Sequence, residues 1–399
     1  MNTRAVGTAS LLMLELILTA CSGLRPPYRC TDPLGCVEIG KGAPLTIGSL
    51  VATSGDYASI GEDAQRGIQL AIQDQEYLLG HLLFLATQET DCTQDGARAA
   101  ATTLLLYSQL LAVIGPTCGV EMAPAGELLT EAGVLAVSPS GTSWGPGFEV
   151  PLVSFTPEAD LSAAFAIQRL QARQVVIVGS APESFQAADA LLRAMSRTGV
   201  SARLLQIPAG SLEFQSQLAD LEANPPDVLV LQLPPTQGGL FTAQLRATPG
   251  LESLKIIAWE NLLGLEFLQS AGPAAAGLYV IGPDQSVFSA AYPRYAQEYE
   301  KDFGEAPIAV SDLYAYTVTQ MILHAIQAAA IQTSPGSLSI PRSALQKAIQ
   351  RPGRYTGSFG FIACAGSGGC STISPAIYQI RGPDLISWYP GNPPGQIYP

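Results

Sequence analysis

The stretch Ile47-Gly-Ser-Leu-Val-Ala-Thr-Ser54-Gly55-Asp-Tyr57-Ala-Ser-Ile60-Gly61, with Gly67 six residues on, decides the fold. It opens inside Leu45–Val51, a short apolar run of strand length. Ser54-Gly55-Asp56 is turn chemistry. Beyond the turn, Ala64, Ile68, Ala71 and Ile72 share one face at helical spacing, which predicts a helix over 61–75. A strand apolar on both faces needs cover on both, so the unit predicts a parallel sheet between layers of helix.

The same rhythm continues outward. Strands are expected at Leu82–Ala86, Ala112–Gly115 and Val134–Ser138, with helices over 94–106 and 121–132. After Phe155-Thr156-Pro157 the series restarts. Strands are expected over 174–179, 202–207, 227–232, 255–259 and 278–281, with helices over 160–171, 183–197, 214–222, 237–247 and 262–270. This break and restart predict two α/β lobes instead of one eightfold barrel. Past Gly282-Pro283 come helices over 290–303, 310–330 and 342–350 without strong strands between them. Short strands are expected at Thr356–Ile362 and Ala376–Ile380, and Trp388–Pro399 is expected to run over the surface.

Composition narrows the function. The 399-residue chain is 47% hydrophobic, enough for a core, and carries a net charge of −13 with no Lys/Arg-rich block. A nucleic-acid partner is excluded on that ground, since phosphate binding needs a basic face. Two histidines, His81 and His324, leave little for a His-based metal site or proton relay, and no metal or cofactor is expected. Gly141-Thr142-Ser143-Trp144-Gly145 fits G-x-S-x-G, but Pro146-Gly147 break the helix that a nucleophile elbow requires. The chain is therefore not expected to be an enzyme.

Seven cysteines need an account. Met1–Ala20 holds Arg4, then the apolar run Leu11–Leu18, too short to span a membrane and of the form of a secretory signal. Leu18-Thr19-Ala20-Cys21 resembles the lipobox of bacterial lipoproteins, although Glu15 interrupts the apolar run. That resemblance implies cleavage before Cys21 and lipid attachment to it, with acyl chains anchoring the protein to a membrane. Outside the cytoplasm the other six cysteines are free to form disulfides. Cys30 and Cys36 bracket a tight turn, and Cys364 and Cys370 bracket a Gly-rich loop. Cys92 and Cys118 remain, and six cysteines allow 15 pairings. The spacings do not suit a zinc cluster.

A family resemblance runs through most of the chain. The stretch from Ile47 to Gly67 resembles the opening of type I periplasmic binding proteins, closest to the leucine/isoleucine/valine-type solute-binding proteins of ABC transporters. The likeness continues at Asp91-Cys92, Val113–Cys118, Ala123-Pro124, Gly133–Thr142, Trp259-Glu260, Gly277-Leu278, Asp312–Tyr316 and Thr356-Gly357. It implies two doubly wound parallel-sheet lobes joined by three crossing segments, near 156–158, 281–284 and 361–371. The expected organisation is a signal peptide over 1–20, a tether over 21–43, an N-terminal lobe over 44–157 and 284–362, and a C-terminal lobe over 158–283 and 363–399. The resemblance also implies a Cys92–Cys118 disulfide.

It further implies a ligand between the lobes, beyond the carboxyl ends of the strands. For an amino acid, backbone N–H groups at Gly119, ahead of a helix, suit the carboxylate. Thr142 matches a residue that contacts both ends of the ligand, the Ser140 carbonyl a group that takes the ammonium, and Glu260 the acidic partner of that ammonium. Tyr57, Ile60 and Phe185 are candidates for an apolar subsite. Departures exist: Gly119 replaces the family's serine, leaving Thr117 as the nearby hydroxyl, and Pro234-Pro235 replaces a pocket tyrosine. Simpler roles compete. Ser140 and Thr142 suit a turn, Glu260 suits a helix cap, and Tyr57 and Ile60 suit a core. The implied function is that of a monomeric, extracytoplasmic, lipid-anchored protein that delivers an amino acid or related polar metabolite to an ABC permease. A ligand sensor or a regulator of an envelope enzyme is the alternative.

Overall fold

The apolar run that begins at Leu45 is buried along its whole length because it becomes an inner strand. The computed structural model describes residues 28–140, 155–180, 184–262, 264–284, 292–307, 310–349, 353–357, 360–365, 369–371, 374–380 and 396–398; for 184–186, 353–371 and 396–398 it describes the backbone alone. The expected signal segment and Cys21 lie outside these residues.

In chain order the first group of elements is β1 (Cys36–Ile39), β2 (Leu45–Ala52), α1 (Ala58–Asp74), β3 (Tyr77–Leu78), β4 (His81–Thr90), α2 (Gln94–Leu104), β5 (Leu110–Ile114), α3 (Gly119–Glu131) and β6 (Leu135–Val137). The sheet order is β3-β4-β2-β5-β6, and β2 pairs in parallel with both β4 and β5. Side chains alternate between two helical layers. Ile47 and Val51 pack toward α1, and Leu50 and Val113 pack toward α2 and α3. A Cβ at Gly61 would sit 1.7 Å from the Ala52 carbonyl oxygen, so only glycine lets α1 start so close to the end of β2.

The second group is α4 (Phe155–Gln168), β7 (Gln174–Ser180), α5 (Ser184–Thr198), β8 (Ser201–Ile207), α6 (Gln215–Ala223), β9 (Val228–Gln232), α7 (Pro235–Ala247), β10 (Lys255–Ala258), α8 (Leu265–Ala271) and β11 (Tyr279–Pro283). Helix α4 begins five residues before the expected position. Pro157 falls in its first turn, where a missing N–H costs nothing. Period-two alternation again serves two layers: Val176 and Val178 face one cluster, Val175 and Ile177 the other.

The rest comprises α9 (Tyr292–Phe303), α10 (Ser311–Ala329), β12 (Ile331–Ser334), β13 (Ser337–Pro341), α11 (Arg342–Ile349), β14 (Gly353–Gly357), β15 (Gly360–Ala365), β16 (Gly369–Ser371), β17 (Pro375–Gln379) and β18 (Gln396–Tyr398). The second sheet runs β18-β17-β11-β10-β9-β7-β8, parallel from β8 to β11 and closed at one edge by antiparallel β17 and β18. Helices α10 and α11 return to the first sheet, where Val318, Ile322 and Leu345 join its core.

Three features differ from the sequence expectation. Cys36–Ile39, expected within a tether, is a strand paired with β13. The hairpin β12–β13 was hidden because β12 is exposed and shows no apolar period; Pro335-Gly336 makes its turn, with Gly336 at φ +76°. The expected single strand Thr356–Ile362 is instead divided between β14 and β15, which pair with each other. Because β16 pairs with β15, both strands stay in one small sheet, and the return to the second sheet comes at β17.

Candidate functional site

A cavity of about 180 Å³ opens where the carboxyl ends of both sheets converge. Thr117 follows β5, Pro139 and Ser140 follow β6, Ser180 ends β7, Gln232 ends β9, and Trp259 and Glu260 follow β10. Strand ends bring these residues together because the chain must turn there, leaving backbone and side chains open to a ligand.

Five of the seven residues expected at the ligand, Tyr57, Ile60, Gly119, Ser140 and Glu260, line this cavity. Thr142 lies outside the described residues, and Phe185 lies in α5 with its side chain outside them. Gly119 is the first residue of α3, after Cys118 at an extended φ of −110°, so first-turn N–H groups are available for an anion. Cys118 is disulfide-bonded to Cys92, and Cys30 to Cys36. Cys364 and Cys370 are register partners in β15 and β16; their side chains lie outside the description.

The first-sheet wall is largely satisfied within itself. The Ala52 N–H donates to Thr117 Oγ1 at 2.9 Å, which ties that hydroxyl to β2. Ser138 Oγ donates to the Pro116 carbonyl at 2.8 Å and accepts the Ser140 N–H at 3.1 Å, the turn role weighed for this loop.

The second-sheet wall is different. Glu260 accepts a hydrogen bond from Tyr314 Oη at 3.2 Å, which joins a residue after β10 to a helix of the first lobe. Burial raises the Glu260 carboxyl to about 7, against the lowering effect of that hydrogen bond. Glu158, in the first turn of α4, also lines the cavity. Burial, and then the nearby Glu260 charge, push its carboxyl well above the usual range. The indole Nε1 of Trp259 and the amide Nε2 of Gln232 are buried with no partner among the described residues. Phe155 packs on Trp259 with ring centroids 5.8 Å apart.

Sequence reading missed Glu158, Gln232 and Tyr314 as site residues. Glu158 had a signal, an acid at a crossing point beside a helix start. Gln232 had only its place at a strand end.

Sheets wound this way about a cleft at their carboxyl ends define the type I periplasmic binding fold, a class of binding proteins and not of enzymes. The periplasmic binding protein family model matches residues 44–369, and the chain belongs to that family. An amino acid binding protein of Pseudomonas aeruginosa is 24% identical over 321 residues, covering 75% of this chain and 74% of the relative. Among solved structures, a leucine binding protein from Thermotoga maritima superposes with a TM-score of 0.76 at 19% identity, over 85% of this chain and 96% of that one. A solute binding protein of an ABC transporter from R. palustris, in complex with 4-hydroxybenzoate, does so with a TM-score of 0.73 at 17% identity, over 86% and 94%. The chain is thus a periplasmic binding protein, and its family implies an extracytoplasmic location. Among the described residues no helix is long and apolar enough to cross a membrane.

Proposed function

We propose that the protein captures an amino acid between its lobes and delivers it to an ABC permease while anchored to a membrane through a lipid on Cys21. The observation that carries the reading is the position of Glu260. It is an acid on the second-lobe wall of the cavity, bonded to Tyr314 of the first lobe and set in the same cleft as the N–H groups at the start of α3. An ammonium between the walls favours the closed form, so ligand and closure stabilise each other. The relatives' printed names support an amino acid. The 4-hydroxybenzoate neighbour suggests an aromatic acid, but two carboxyls on the cavity oppose an anion.

A thermal-shift screen of amino acids on the mature protein tests the reading. A hit is expected to raise Tm. Calorimetry with Glu260→Gln and Thr142→Ala is expected to show weaker binding of that hit. No shift with any amino acid overturns the ligand class. Membrane fractionation tests the anchor: Cys21→Ala is expected to leave the membrane fraction. A protein that binds no solute yet copurifies with an envelope enzyme supports the regulatory alternative instead.

A further inference from the structure

The second-lobe wall carries more acid than a neutral amino acid neutralises. One ammonium matches Glu260. Glu158 is a second buried carboxyl on the same cavity, and no described residue gives it a hydrogen bond. No Lys, Arg or His is among the residues lining the cavity. A buried carboxyl without a counter-charge keeps its proton, and a cation brought by the solute is what lets Glu158 ionise.

Gly119 brings the first-turn N–H groups of α3 to the same cavity, where they suit a carboxylate on the solute. Tyr57, Ile60 and Phe155 supply apolar wall, which suits the methylene stem of a long side chain with a charged head.

We propose that the cleft takes an amino acid of net positive charge, its two cationic groups divided between Glu158 and Glu260 and its carboxylate turned to the N–H groups at the start of α3. This rests on the amino-acid reading above and narrows it to ligands with a second ammonium or a guanidinium. On binding, the proton held by the carboxyl pair leaves for solvent, and the charges of the solute are unchanged. The titratable groups around the pair are the phenols of Tyr57 on the cavity wall, Tyr314 from α10 and, against Tyr314, Tyr378 from β17; among the described residues no Lys, Arg or His lines the cavity with it.

Calorimetry on the wild-type mature protein with L-lysine, L-arginine, L-leucine and L-norleucine decides this, run at pH 7 in phosphate and in Tris. Lysine or arginine is expected to bind about 100-fold more tightly than norleucine, the uncharged analogue of lysine. About one proton is expected to be released per solute, read from the difference in enthalpy between the buffers. Glu158→Gln is expected to weaken lysine and leave norleucine little changed; if that variant misfolds, wild-type selectivity and proton count still decide. Leucine or norleucine binding as tightly as lysine overturns the inference and leaves the amino-acid reading intact. Binding of none of the four, with none in the wider screen, overturns both.

Discussion

Two pairs of acids, one inside the first lobe and one on the cavity, are built differently. Asp63 on α1 and Asp312 on α10 lie inside the first lobe, both fully buried. Asp63 accepts the Tyr299 hydroxyl at 2.7 Å, the Ser311 hydroxyl at 3.1 Å and the Asp312 N–H at 3.1 Å, and Asp312 accepts the Tyr295 hydroxyl at 2.9 Å. Close approach of the helices makes this possible: a Cβ at Gly67 would meet the Asp312 carbonyl oxygen at 2.1 Å. Glu158 and Glu260, in contrast, share a cavity and have one hydrogen bond from the described residues between them, from Tyr314. Burial alone therefore does not mark a functional acid. Asp63 is furnished with three donors, whereas the two cavity carboxyls share one, the shortfall expected of a pair that the proposed solute completes.

Breaking the furnished pair carries the largest expected effect. Asp63→Ala removes the acceptor of the Tyr299 hydroxyl and of the Asp312 N–H, while the Ser311 hydroxyl keeps the Ile60 carbonyl, and is expected to cost about 3 kcal/mol of stability by denaturant unfolding. Removing charge from the other pair is expected to do the reverse. Glu260→Gln is expected to leave the empty protein at least as stable as wild type, since a neutral amide is easier to bury than a carboxylate. Solute binding is expected to fall by about 30-fold or more, because the ammonium loses its buried partner. Equal stability losses in the two variants would erase the distinction.

How far the sequence shows this contrast depends on chemistry that is local or distant. The strand–turn–helix unit from Leu45 to Gln75 is legible because apolar periodicity and turn residues act over a few positions. Glu260 is legible through the family likeness of Trp259-Glu260. Its pairing with Tyr314 joins positions 54 residues apart, and the Asp63–Tyr299 bond joins positions 236 apart. Neither leaves a periodic signature. Strand β12 was missed for the opposite reason, since an exposed strand has no apolar face to read.

The acid pair in the cleft also sets a pH dependence of definite sign. Glu260 titrates near 7 in the folded chain against an ordinary value of 4.5. Between those values the folded state holds more protons than the unfolded one, so stability of the empty protein is expected to fall as pH rises from 4.5 to 7. Glu260→Gln is expected to lessen that slope in a Tm-against-pH series, the remainder coming from Glu158 and from Glu121, which burial also raises to about 7. Affinity for an ammonium runs the other way and is expected to rise across the same window, because the proton competes with the solute for the carboxyl.

The smallest effect is expected at a contact that joins the lobes without touching the acids. Ser59, in the first turn of α1, donates its N–H to Glu266 Oε1 at 2.8 Å and its hydroxyl to Glu266 Oε2, while the Leu265 N–H donates to Ser59 Oγ at 3.3 Å. Glu266 stands in the first turn of α8, where the helix dipole favours it. Ser59 adjoins Ile60 of the cavity wall, so the latch closes only when the lobes meet there. Ser59→Ala removes the hydroxyl and keeps the N–H contact, which is expected to cost about 1 kcal/mol of closure, or roughly fivefold in solute affinity. Because the latch holds no ligand atom, that loss is expected to be the same for every solute. Glu260→Gln, acting through the ammonium, is expected to discriminate between solutes. A solute-dependent loss in Ser59→Ala would place the latch within the binding site and redraw the boundary between closure and recognition.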